Sequence, residues 1–157
     1  MKLEQLNEAI KQFIIDDAIA SLRSNHYFFV QNGLRGASEF TNGKCFEFAI
    51  ALYNYLKSKG EQPQLIYLMG NMKKSEARWY DTTEFDPTQE HPFHTIVQVR
   101  KFYYDINGKL GNKRDIATGW PKFRNKQLVP TTYEDVMQYV KDKKIIEDIE
   151  TVLKEFK

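Results

Sequence analysis

At 157 residues, with 23 basic and 21 acidic side chains and a net charge of +2, the chain has the length of a single domain spanning 1–157, with room for a sizeable core. The charge balance is neutral on nucleic acid and no basic stripe points to it, so no nucleic-acid partner is expected. No apolar run is long enough to span a membrane, and the one cysteine excludes an intramolecular disulfide framework.

Met1-Lys2-Leu3-Glu4-Gln5 has polar residues where a signal peptide needs an apolar run, so a soluble, cytoplasmic protein is expected. From Leu3 to about Arg23, apolar residues Leu3, Leu6, Ile10, Phe13, Ile14 and Ala18 recur at three- and four-residue steps, which predicts an amphipathic helix. Between 24 and 41, His26–Val30 fits either a short strand or the end of that helix. Gln31-Asn32-Gly33 and Arg35-Gly36-Ala37-Ser38 read as turns.

Asn42-Gly43 is a further turn signal. The run from Cys45 to Gly60 then lacks Pro and Gly and is rich in helix formers. Glu47, Asn54 and Lys57 form a narrow polar strip on an otherwise apolar helix, the pattern of an element buried on most sides. Cys45 opens this helix. Free backbone N–H groups and the positive end of the helix dipole lie beside a thiol there, and both favour thiolate. The plain alternative is a small buried hydrophobe, as free cysteines often are.

Gly60 and Pro63 end the helix, and 64–69 reads as a buried strand. The polar connection from Gly70 to His91 is long enough to carry substrate contacts, with Trp79, Tyr80 and Phe85 as candidates. Strands are expected at 93–99 and 102–106, joined at Arg100-Lys101, a pair poorly suited to a two-residue hairpin turn. With the turn centred there, Val97 faces Tyr104 and Val99 faces Phe102. His94 and Asp105 then become diagonal neighbours on the other, more polar face. His91 precedes Pro92 and is placed before the strand. Residues 108–130 read as irregular, with Trp120 a further cleft candidate. Thr131–Asp135 starts a capped helix, and an amphipathic helix closes the chain from about Lys144 to Phe156.

A thiol at a helix start, an imidazole on a strand and a carboxylate on its neighbour make a self-consistent acyl-transfer set, at intervals 94 − 45 = 49 and 105 − 94 = 11. Cys45 would attack a carbonyl, His94 would carry its proton, and Asp105 would fix the imidazole tautomer. A Cys45, His91, His94 metal site lacks the spacing of zinc sites, and no metal or organic cofactor is expected.

Gly43-Lys44-Cys45-Phe46-Glu47-Phe48-Ala49-Ile50-Ala51-Leu52, then His94-Thr95-Ile96-Val97, then Tyr103-Tyr104-Asp105, resembles the transglutaminase-like branch of papain-like thiol enzymes. The likeness covers about 42–69 and 93–108. It implies an α+β fold with a central Cys-bearing helix packed on an antiparallel sheet, flanked by N- and C-terminal helices. It also implies a thiol hydrolase or acyltransferase (peptidase, amidase, deamidase or transglutaminase type) acting on a protein, peptide or small amide. One departure is Glu39, six positions before Cys45 (45 − 39 = 6), where papain carries a glutamine as oxyanion donor. Gln31, Asn32 and Asn42 are the substitutes considered, beside the Cys45 amide. The competing function is a non-catalytic protein-binding module on the same fold.

Overall fold

The computed structural model describes residues 2–41, 43–78 and 86–156. The fold is α+β. Helices α1 (Leu3–Arg23) and α2 (His26–Gln31) are followed by a short 3-10 turn at Ala37–Phe40 and by α3 (Cys45–Ser58). Strand β1 (Gln64–Met72), helix α4 (Lys74–Ala77), strands β2 (His91–Val99), β3 (Phe102–Asp105) and β4 (Gly108–Lys109), and helix α5 (Lys113–Thr118) come next. Strand β5 (Phe123–Thr131) and helices α6 (Tyr133–Met137) and α7 (Lys143–Glu155) complete the order.

The five strands form one open antiparallel sheet in the order β4-β3-β2-β1-β5. Strand alternation sends Leu65, Tyr67, Val97, Val99 and Tyr104 to one face, where they join the apolar sides of α1, α3 and α7 in the main core. Ile66, Leu68, Ile96 and Tyr103 point the other way and pack with Ile116 of α5. The Cys-bearing helix therefore lies against an antiparallel sheet, with helices from both chain ends over it, as the sequence led one to expect.

The β2–β3 hairpin has the expected register, Val97 opposite Tyr104 and Val99 opposite Phe102. Its turn has only two residues, and Arg100 takes φ 56°. That left-handed conformation costs a side-chain-bearing residue about 1–2 kcal/mol. Pairing of the Arg100 guanidinium with Glu61 offsets part of this.

Several expectations fail for definable reasons. In α1 the buried stripe is Ile15, Ala18, Ile19 and Leu22, while Leu3, Leu6 and Ile14 are exposed. The C-terminal half of the helix is the part that docks. Asp16 accepts a hydrogen bond from the Lys109 amide at 2.9 Å, and Arg23 donates to the Ile106 carbonyl at 3.2 Å. His26–Gln31 is a helix, capped by the Asn25 side chain, which accepts from the Phe28 amide at 2.9 Å. Glu47, on the narrow polar strip of α3, is itself buried at 1% exposure.

Residues 108–130 are not irregular: they contain β4, α5 and most of β5. Strand β5 is polar and includes Pro130, because it is a sheet edge paired only with β1, where exposed charges and a missing donor are tolerated. A bulge bends it. Its pairing steps from Gln127 to Arg124 while β1 steps from Met69 to Asn71, and Asn125 takes φ 53°. Gly70 sits at this bend. A Cβ there would lie 2.9 Å from the Arg124 carbonyl oxygen and 3.0 Å from the Phe93 ring, so the close approach of β5 requires glycine.

Candidate active site

Gly43, at φ 110°, makes the turn into α3 that the sequence signalled, and Cys45 is the first residue of the helix. Cys45 is 3% exposed. The backbone amides of Thr95, Cys45 and Phe46 face the sulfur closely enough to favour its thiolate form. Thr95 lies in the half of β2 beyond the end of its pairing with β3 at Val97 and Tyr104.

The expected activation of the resting thiol is not observed. Burial pushes Cys45 up from 9.0 to about 12, and the nearby Glu47 carboxylate adds to the rise against the three amides. The helix terminus was read correctly. Its effect is smaller than the cost of placing a thiolate out of water.

His94 and Asp105 meet as the hairpin register requires. Nε2 of His94 and Oδ2 of Asp105 are 3.0 Å apart, with side chains 0% and 2% exposed. Asp105 Oδ1 accepts from the Asn107 amide at 2.7 Å, which fixes the carboxylate plane. A carboxylate oxygen accepts, so the proton of this bond resides on Nε2, and in the tautomer that this bond selects Nδ1 carries the lone pair. That nitrogen is buried and has no hydrogen-bond partner among the described residues, Cys45 included. The face that carries the pair is not open. Trp120 lies over the imidazole, ring centroids 4.9 Å apart and planes at 35°, and Phe93 packs on Trp120. Lys126 donates to the Trp120 carbonyl at 3.1 Å and helps hold that turn.

Among the described residues, five buried side-chain polar atoms lack a partner, and three belong to Glu47, His94 and Thr95. Such groups are costly in a purely structural core and concentrate where a polar ligand, water or chemistry is accommodated. Glu47 also ties α3 to the α6–α7 connection: its Oε1 accepts from the Lys141 and Asp142 amides at 2.9 and 3.3 Å.

A cleft of about 820 Å³ is lined by Phe46, next to Cys45 in sequence, by Gly43, and by Trp120, which lies over His94; Cys45, Glu47, His94 and Asp105 do not themselves line it. Tyr139 stacks on Phe46 with centroids 4.8 Å apart, and Phe123 stacks on Phe93 at 3.9 Å. Of the aromatic residues proposed from sequence to line a cleft, Trp120 does so. Trp79, Tyr80 and Phe85 lie outside the described residues, as does Asn42. Gln31 is exposed at the end of α2, and the Asn32 amide donates to the Phe28 carbonyl at 3.0 Å. Neither of these two lines the cleft. The Glu39 carboxylate accepts from the Arg35 amide within its own loop.

His91 is the first residue of β2, not a residue before it, and lines the cleft with Phe123 beside it. Pro at the second position of a strand proved no obstacle. Sequence reasoning missed Phe46, Phe123 and Tyr139 as cleft residues. The i+1 position of Phe46 after the cysteine was the one local signal available. Among the described residues no group of three or more His, Cys, Asp or Glu is placed to hold a metal, and no helix is long and apolar enough to cross a membrane.

Comparison with known proteins finds no matching family model, no similar curated protein and no similar solved structure.

Proposed function

We propose that this chain is a thiol-dependent acyl-transfer enzyme of papain-like or transglutaminase-like architecture, with Cys45 as nucleophile, His94 as proton carrier and Asp105 as the group that orients it. Its substrate would be an amide or ester carbonyl of a protein, peptide or small molecule. The observation that carries the reading is the buried His94–Asp105 pair with its unpartnered Nδ1, carried by the residue next to Thr95, whose backbone amide favours thiolate at Cys45.

In this reading the resting site holds a neutral thiol and an imidazole whose Nδ1 accepts its proton. As a carbonyl enters, the S–H proton passes to Nδ1 of His94 while sulfur bonds to the carbonyl carbon. Asp105 stabilises the imidazolium that forms. The Cys45 N–H would serve as a backbone donor for the oxyanion. Collapse of the tetrahedral species returns the proton from Nδ1 to the leaving group, and water or an amine then resolves the thioester. The aromatic cleft beside Cys45 would hold the group attached to the carbonyl.

Near-complete burial of Cys45 favours a second reading, a binding module of the same architecture with an inert thiol. p-Nitrophenyl acetate separates the two. The enzyme releases a nitrophenolate burst and carries a hydroxylamine-labile acetyl group on Cys45, located by mass spectrometry and missing from Cys45→Ala. Wild-type protein that gives no burst and no adduct is the binding module.

A further inference from the structure

We infer that the cleft beside Cys45 selects an acyl group that carries both an aromatic ring and a negative charge, an inference that rests on the acyl-transfer reading for its chemistry. Two features point to this ligand. First, the cleft presents two stacked aromatic pairs from different parts of the fold. Phe46 with Tyr139 comes from α3 and the α6–α7 connection, and Phe93 with Phe123 comes from β2 and β5. Flat aromatic faces recognise flat rings, through stacked or edge-on contact beyond simple burial. A volume near 820 Å³ is within the range of sites that enclose a small organic ligand, and exceeds what an acetyl group needs.

Second, the charged side chains that line the cleft among the described residues are basic. Lys122 and Lys141 line it, His91 adds a titratable imidazole, and no Asp or Glu does so among the described residues. Lys122 is exposed. Lys122 lines the same cleft as the two aromatic pairs, so its flexible side chain would offer a cation to an anionic substituent of a ligand held by the rings. A neutral aromatic group would use only the first feature, and an aliphatic anion only the second.

Four p-nitrophenyl esters test the inference, with acyl groups that are aromatic and anionic (para-carboxyphenylpropanoyl), aromatic and neutral (phenylpropanoyl), aliphatic and anionic (adipoyl), and aliphatic and neutral (hexanoyl). Acylation of Cys45 forms the S–C bond as the ester C–O bond breaks, and the thiol proton travels by way of His94 to the nitrophenolate. The expected result is fastest acylation by the para-carboxyphenylpropanoyl ester. In Lys122→Glu that ester should slow roughly five- to tenfold relative to the phenylpropanoyl ester, the scale of an exposed charge reversal. Equal rates for all four esters would overturn the inference and leave acyl transfer standing.

If no ester acylates Cys45, calorimetric titration with para-carboxyphenylpropanamide decides. Binding that weakens in Lys122→Glu retains the ligand assignment and removes the enzyme. No binding overturns the ligand assignment as well.

Discussion

Nε2 of His94 donates to Oδ2 of Asp105 across 3.0 Å in a part of the sheet closed to solvent. The direction of that bond sets which nitrogen can act as a base. Asp105→Asn keeps the size and the Oδ1 acceptor for the Asn107 amide, but an amide group can present N–H to the ring. A donor there stabilises the tautomer with its proton on Nδ1, which cannot accept from a thiol. Acylation of Cys45 should fall by about 10³–10⁴-fold, on the scale of tautomer loss in a serine triad. The ester burst gives the rate, and the thermal midpoint should change little by comparison.

His94→Ala should damage folding as well as activity. From sequence the His94 face reads as polar and open, so the substitution looks harmless. In the fold the ring is 0% exposed and lies under Trp120. Removing it strands a buried carboxylate oxygen and opens a hole against the indole. The expected loss is about 3–5 kcal/mol, as when one partner of a buried charged pair is deleted. Urea unfolding of His94→Ala, Asp105→Ala and the double variant measures it. The pair should show a coupling above about 1 kcal/mol. Additive losses would mean that the two side chains are independent.

What the sequence made legible was governed by local periodicity. A turn centred at Arg100-Lys101 set the hairpin register, Val97 opposite Tyr104 and Val99 opposite Phe102, and that register brought His94 to Asp105. The long apolar run after Cys45 set α3. Edge strand β5 escaped notice because Arg124, Lys126, Gln127 and Pro130 are what an edge tolerates and what a loop also contains. The depth at which Glu47 and Cys45 lie was not legible either. Helical spacing places Glu47 among polar neighbours on α3, and only the packing of the α6–α7 connection over that turn, with two amides aimed at its carboxylate, makes burial possible.

Glu47 supplies a prediction with two parts. Glu47→Gln retains an oxygen acceptor for the Lys141 and Asp142 amides and removes the negative charge that helps hold the Cys45 thiol up. The variant should fold normally and its cysteine should alkylate faster than wild type at the same mildly alkaline pH. Glu47→Ala leaves both amides without their acceptor and should cost about 2–4 kcal/mol, read by urea unfolding. Loss of stability in Glu47→Gln equal to that in Glu47→Ala would show that charge, not the acceptor, holds the connection.

The thiol itself makes stability depend on alkaline pH. Cys45 has a folded-state value of about 12 against an ordinary 9.0. Below pH 9 both folded and unfolded chains hold the proton, and the full stability is present. Between about 9 and 12 the unfolded thiol ionises while the folded one does not, so the unfolded state binds fewer protons and stability falls as pH rises. The slope contributed by this one group approaches about 1.4 kcal/mol per pH unit within that window. Burial also raises Tyr55, Tyr67 and Tyr104, so the total slope steepens above pH 10 and the cysteine must be isolated by difference. Cys45→Ala should lose stability more slowly than wild type from pH 9 upward, with the gap closing toward neutrality except for a constant packing offset. Iodoacetamide gives a kinetic counterpart. At pH 8 the folded thiol should react about a thousandfold more slowly than the urea-unfolded one, the ratio of their thiolate fractions. Equal alkylation rates in the two states, together with parallel stability curves for wild type and Cys45→Ala, would mean that the sulfur is in contact with water and that the neutral resting thiol proposed for the catalytic cycle is wrong.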